Sequence, residues 1–255
     1  MKCKIISVTN QKGGVGKTTT AVNLAAGLAR RFQDVLLIDM DGQANATQGL
    51  GFGKETIKKS VYDAIMGGVK ITDVVRKTEI GLLDIIPANM SLNGAKVELV
   101  EASGREYRLK NALEEIKSNY RYIIIDSPPS LDLLTVNSLT ASDSTLIPIQ
   151  CEYYALEGLG QLMSTLSKVK KSLNTTLEIE GVLLTMHDRR TNLSFDVVNE
   201  VKKHFKGAVY STIIPRNVKL AEAPSYGKTI FDYDPYSSGA IAFDELSKEF
   251  LESNY

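Results

Sequence analysis

Only two cysteines, Cys3 and Cys151, occur in 255 residues. They are too few and too far apart in sequence for a secreted disulfide framework or a four-thiolate metal site, and their scarcity points to a reducing compartment. Histidine is equally sparse: His187 and His204 lack metal-ligand spacing and are expected to be structural or surface residues. No run approaches the ~20 apolar residues of a membrane span. Residues 1–15 lack the charged start, apolar stretch and small-residue cleavage site of a signal peptide, so a cytoplasmic protein is expected. Net charge is missing too, because 30 Lys+Arg balance 30 Asp+Glu. That balance argues against a chain that coats nucleic acid all round and leaves room only for a local basic patch. With no internal repeat, low-complexity tract or Pro/Gly/Ser linker, a single domain over residues 1–255 is expected. The 43% hydrophobic content excludes disorder. A chain of this length buries roughly 75% of its unfolded surface without a covalent staple.

Strand-length apolar runs do recur, at residues 3–9, 35–38, 82–86, 122–125, 144–149, 181–185 and 209–214. Several are nearly continuous in Ile, Val and Leu rather than alternating, which suits parallel strands covered on both faces by the helical patterns between them. The expected fold is α/β, a doubly wound, mostly parallel sheet flanked by helices. Near the end, Phe243, Leu246, Phe250 and Leu251 fall at helical spacing opposite a mostly acidic face. An amphipathic membrane anchor favours Lys and Arg there, so this helix is expected to pack on the core.

After the first strand comes Gln11-Lys12-Gly13-Gly14-Val15-Gly16-Lys17-Thr18-Thr19-Thr20, followed by a helix-forming run. Strand, glycine loop and helix in that order make a phosphate-binding loop. The glycines let backbone N–H groups curl around phosphate oxygens, Lys17 reaches the β and γ phosphates, and Thr18 offers its hydroxyl to Mg²⁺. The dinucleotide fingerprint fails, because Thr19 stands where its third glycine belongs. The second run ends in Asp39 and Asp41, and the run at 122–125 leads into Asp126-Ser127-Pro128-Pro129. Carboxylates at the carboxyl ends of parallel strands lie beside such a loop. If the second strand extends far enough, alternation puts Asp39 and Asp41 on one side.

The loop departs from the usual pattern: its first glycine is replaced by Gln11, and Lys12 precedes Gly13. Lys-Gly-Gly-Val-Gly-Lys-Thr resembles the deviant Walker A loop of P-loop NTPases that include the ParA/Soj partition ATPases, MinD and the nitrogenase iron protein. Asn45-Ala46-Thr47, Asp126-Ser127-Pro128-Pro129, Thr191-Asn192-Leu193 and the stretch from Ile214 to Lys228 extend the resemblance to Soj-type chromosome-partitioning ATPases over nearly the whole chain. The resemblance implies a Mg²⁺-dependent ATPase, with Lys12 crossing a homodimer interface to the partner's nucleotide. Asp41 would orient the attacking water, while Asp39 and the Walker B-like Asp126 would support the magnesium shell beside Thr18. It places Lys12, Gly13, Gly14, Val15, Gly16, Lys17, Thr18 and Thr19 around the nucleotide and an adenine pocket at Pro215, Arg216 and Asn217. With no Asn-Lys-x-Asp segment for guanine, ATP is expected over GTP. Family members usually carry proline after the second aspartate, and Gly42 here loosens the backbone.

With the loop beginning at residue 12, no separate DNA-binding domain is expected ahead of it. The candidates for nonspecific double-stranded DNA are Arg189 and Arg190, Lys202 and Lys203 with Lys206, and Arg216 with Lys219. Lysine at 219, where arginine is common in the family, keeps a phosphate charge but loses the bidentate fork. The resemblance also implies a ParB/Spo0J-like centromere-binding partner that stimulates hydrolysis, and a location on the nucleoid. Two relatives are disfavoured: a nitrogenase-type reductase needs more cysteines, and a MinD-like division-site regulator needs a basic terminal helix. A P-loop metabolic kinase or ligase is the alternative class, since the sequence does not reveal the phosphate acceptor.

Overall fold

In the computed structural model, residues 3–152, 159–205 and 207–254 are described. They form one eight-stranded sheet from β1 (Lys4–Val8), β2 (Val35–Asp39), β3 (Arg76–Lys77), β4 (Leu83–Ile86), β5 (Tyr122–Asp126), β6 (Ser144–Gln150), β7 (Glu178–His187) and β8 (Val209–Pro215). The order is β3-β4-β2-β5-β1-β6-β7-β8, and every pairing is parallel except β3 with β4. Seven of these strands coincide with the apolar runs. The eighth, β3, is a two-residue antiparallel edge of Arg76 and Lys77. It has no apolar period to reveal it, and its charged side chains blunt an exposed edge.

The continuous Ile/Val/Leu runs are continuous because both faces are covered. On β5, Tyr122 and Ile124 pack with Leu24 and Leu28 of helix Lys17–Arg30 and with Phe243 and Phe250 of helix Ser238–Glu252. Ile123 and Ile125 face Leu92, Leu109 and Leu134 on the other side. A third cluster joins Ile147 and Leu184 to Leu162, Leu166 and Val201. Each such side chain contributes roughly 1.5–3 kcal/mol on full burial. The C-terminal helix packs on the core as its spacing predicts. Ser237 caps it by accepting from the Ala240 N–H, and the Phe250 ring meets Tyr122 edge-on at 5.4 Å. Among the described residues no helix is long and apolar enough to cross a membrane.

Strand register positions the chemistry. Pairing of β1 and β2 with β5 sets Val8 and Asp39 each beside Asp126, so two carboxylates emerge on adjacent strands at the carboxyl edge. β1 lies between β5 and β6, and its carboxyl end opens into the crevice where connections leave in opposite directions, the position at which α/β sheets bind ligands.

Candidate functional site

The loop after β1 is held at both ends. Asn10 donates through Nδ2 to the Pro148 carbonyl (2.7 Å) and accepts the Lys12 N–H on Oδ1 (3.0 Å), while the Thr185 hydroxyl donates to the Val15 carbonyl (2.9 Å). Between these anchors Gly14 and Gly16 adopt φ of 75° and 88°, left-handed values that glycine reaches without strain. A Cβ added at Gly13 or Gly14 would meet nothing within 4 Å, so the space beside these two exposed glycines is open. Helix Lys17–Arg30 starts there with no side-chain cap, which leaves its first N–H groups for an anion.

Lys17 is buried, and its Nζ donates to the Lys12 carbonyl at 2.9 Å. Burial pulls its pKa down, opposed by the charges of Asp126 and Asp41. Lys12 is half-buried, and among the described residues its ammonium has no hydrogen-bond or ion-pair partner. The two lysines are therefore not equivalent: one is locked into its own loop and the other is uncommitted.

Asp39 is fully buried and tethered. Oδ2 accepts from both the N–H and the hydroxyl of Thr47, each at 2.8 Å, and Oδ1 accepts the Asp41 N–H at 3.1 Å. Desolvation still lifts its pKa to about 6, against those bonds. β2 ends at Asp39, so Asp41 is placed by a turn rather than by strand alternation. Its Oδ1 accepts the Gln43 N–H (2.9 Å) and its carbonyl accepts the Ala44 N–H (2.8 Å), with Ala44 at φ 54°. No hydrogen bond occupies Oδ2 of Asp41 among the described residues.

Asp126 is different again. It is fully buried, and neither carboxylate oxygen has a hydrogen-bond partner in the structure. Desolvation first, then the charge of Asp39, raises its pKa well above the usual carboxylate range; Thr18 and Lys17 pull the other way without closing a bond of normal geometry. Most buried polar atoms are satisfied, so two orphan oxygens beside a threonine hydroxyl and a lysine mark a place for a cation. No cluster of three or more His, Cys, Asp or Glu with metal-holding geometry occurs among the described residues. The donor set suits Mg²⁺, which keeps several waters and takes few protein ligands; the Thr18 hydroxyl, Asp126 and Asp39 are the groups that would hold it.

Next to the loop lies a cavity of about 430 Å³ lined by Gly16, Thr19, Thr185, Pro215, Asn217 and Leu220 among others, so the expected base-binding segment does meet the phosphate loop. Asn217 is fixed there, accepting the Lys219 N–H (2.7 Å) and donating to the Ser238 hydroxyl (2.8 Å). Beyond Pro215 and Arg216 a wider hollow of about 730 Å³ gathers Arg189, Arg190 and Arg216. Most basic candidates are paired within the chain. Arg190 grips Asp188 with two bonds (2.9 and 2.7 Å), Arg216 meets Glu152, Lys219 meets Glu222 at 2.9 Å, and Lys203 meets Glu200 at 3.4 Å. Arg189 is exposed without an ion-pair partner among the described residues. Lys219 does not line the arginine hollow, and Lys206 lies outside the described residues. Thr47, Asn10 and Thr185, which hold the site in shape, carry no motif of their own. The only signal for Thr47 is its place in Asn45-Ala46-Thr47.

Comparison with known proteins agrees with this geometry. The AAA domain family matches residues 3–179. The sporulation initiation inhibitor protein Soj of Bacillus subtilis is 59% identical over 246 residues, covering 96% of this chain and 97% of that one. The chromosome partitioning protein ParA of Caulobacter vibrioides is 49% identical over 250 residues, covering 97% and 94%. A crystal structure described as cobyrinic acid a,c-diamide synthase from Mycobacterium smegmatis, with bound ADP and magnesium, superposes with a TM-score of 0.87 at 36% identity, over 98% of this chain and 94% of that one. With identity this high over almost its whole length, and with the two-lysine loop intact, the chain belongs to the Soj/ParA family of chromosome-partitioning P-loop ATPases.

Proposed function

We propose that this chain is a DNA-segregation ATPase whose ATP-bound dimer holds nonspecific DNA and lets go on hydrolysis. The observation that carries the proposal is the division of labour between the two lysines: Lys17 is tied to its own loop, while Lys12 keeps a free ammonium at the same loop. A free cation there suits delivery to the nucleotide of a second copy, where it offsets charge that develops in phosphoryl transfer as an arginine finger does. Backbone N–H groups from Gly13 to Thr18 would cradle the phosphates. Lys17 would neutralise the γ-phosphate, and the unoccupied Oδ2 of Asp41 would aim the attacking water. Magnesium, held by Thr18, Asp126 and Asp39, would supply charge neutralisation on the phosphates. Pro215, Arg216 and Asn217 would border the adenine.

Dimerisation would double the arginine hollow on one face, turning weak single patches into a nucleotide-dependent, salt-sensitive grip. A ParB/Spo0J-like partner would accelerate hydrolysis and so set where on the nucleoid the dimer is released. The test measures phosphate release with and without DNA and such a partner, together with gel shifts in ATP, ADP and no nucleotide at two salt concentrations. Retardation only with ATP, weakened by salt, supports the proposal; equal binding in all states overturns the switch. A second reading, an ATP-dependent amide-forming synthase, draws on the description of the Mycobacterium smegmatis structure. It requires that ATP turnover depend on a small-molecule acceptor and ignore DNA.

A further inference from the structure

The turn that carries Asp41 continues into Gly42, which is buried and does not have a positive φ. Nothing in its backbone conformation therefore demands glycine. What a side chain there would meet is Asn93: a Cβ at residue 42 would fall 2.6 Å from its Cγ and 2.7 Å from its Nδ2, and closer still to Oδ1. Asn93 belongs to helix Leu92–Glu98, fixed to the core by the buried Leu92, Ala95 and, just beyond, Leu99. The residue is exposed, and its side-chain amide makes no hydrogen bond among the described residues, although its backbone N–H donates to the Met90 carbonyl (3.1 Å). No hydrogen bond accounts for where that amide sits; it occupies the space that glycine leaves.

We infer that Asn93 is a positioning residue for hydrolysis, a stop set against Gly42 that keeps the Asp41 turn in register with the phosphate loop. The inference rests on the ATPase reading given above. On one flank the turn is bonded to Asp39 through the Asp41 N–H (3.1 Å); on the other the three atoms nearest a Cβ at Gly42 all belong to Asn93. On that reading Asp41 orients water rather than holding the nucleotide, so loss of the stop alters the chemical step and leaves ATP affinity nearly as it was. Because Asn93 is exposed and can swing aside, Gly42→Ala evicts it at little cost in stability. Gly42→Ala and Asn93→Ala should thus act through one and the same contact.

The experiment compares wild type, Gly42→Ala, Asn93→Ala and the double variant in steady-state ATP turnover with DNA, and follows amide hydrogen exchange at Gln43 and Ala44. Each single variant is expected to lower kcat roughly tenfold, the size of effect that slight misplacement of a reacting group produces. KM should stay within about twofold, the pattern of a group acting after binding. The double variant should be no worse than either single one, and exchange at Gln43 and Ala44 should quicken in all three. Unchanged kcat in both single variants, in a wild type that hydrolyses ATP, overturns the role of Asn93 and leaves the ATPase reading standing. Multiplicative losses in the double variant overturn the shared contact. A wild type that shows no ATP turnover overturns both, whatever the variants do.

Discussion

Asp126→Asn should make the nucleotide-free protein more stable while abolishing its magnesium-dependent turnover. The carboxylate is fully buried, has no hydrogen-bond partner, and stands beside Asp39 on the neighbouring strand. An isosteric amide removes a buried charge and its repulsion with Asp39. Relief of an unpaired buried group is worth about 1–2 kcal/mol, after allowing for the new N–H donors the amide must place. For a chain of this size that shifts the melting temperature by about 2–8 °C. The pH dependence follows from the raised acids. A carboxyl whose folded pKa exceeds its unfolded value binds more protons when folded, so its contribution is complete below the unfolded value and is lost as pH rises through the folded one. For Asp39 that loss runs from the ordinary 3.8 to about 6 and beyond, and for Asp126 it reaches higher. The wild-type protein without magnesium or nucleotide should therefore lose part of this contribution between pH 5 and pH 7.5, and Asp126→Asn should flatten that dependence. Differential scanning fluorimetry in EDTA at the two pH values, paired with phosphate release in magnesium and ATP, measures both effects. A lower melting temperature in the variant at pH 7.5 would mean that the carboxylate is paired in the free protein, and would refute its assignment to the cation site.

Other substitutions separate the remaining parts. Thr47→Val removes the hydroxyl that donates to Asp39 and accepts the Ala88 N–H at 3.0 Å; urea unfolding should show a loss of roughly 1–3 kcal/mol. Asp188→Asn frees the Arg190 guanidinium, which now holds that carboxyl well below the usual carboxylate range. DNA binding in ATP should tighten at low salt, with the salt slope steeper by about one charge. Gly27→Ala drives a Cβ to 3.0 Å from Cβ of Ser247 where helices Lys17–Arg30 and Ser238–Glu252 cross. It should cost about 1–3 kcal/mol in the same unfolding assay while leaving the residues of the phosphate loop untouched.

The sheet was legible because parallel strands covered on both faces are apolar at most positions, and seven runs stood out as strand-length apolar stretches. The eighth strand could not, since an edge of Arg76 and Lys77 is charged and only two residues long. β7 runs from Glu178 to His187, past its apolar centre, because its ends are shaped by pairing with β6 and β8 rather than by burial. The phosphate loop was legible from its glycines and lysines, whose spacing is itself the chemistry. Its supports were not. Thr47 reaches Asp39 from eight positions along the chain, Thr185 reaches Val15 from β7, and Asn93 rests on Gly42 from another helix. Such contacts depend on which elements become neighbours, and a single sequence does not order them. Nor does composition show that Arg190, Arg216 and Lys219 each already hold a carboxylate.

In the proposed cycle Lys12 joins two copies over bound ATP. Sedimentation velocity of Asp41→Ala, the variant expected to block turnover, at saturating magnesium and ATP reports on it. The expected result is a species of twice the chain mass that reverts to the single chain when Lys12→Ala is added. Asp41→Ala sedimenting as a single chain under those conditions, or as a dimer that survives the loss of Lys12, would contradict the account.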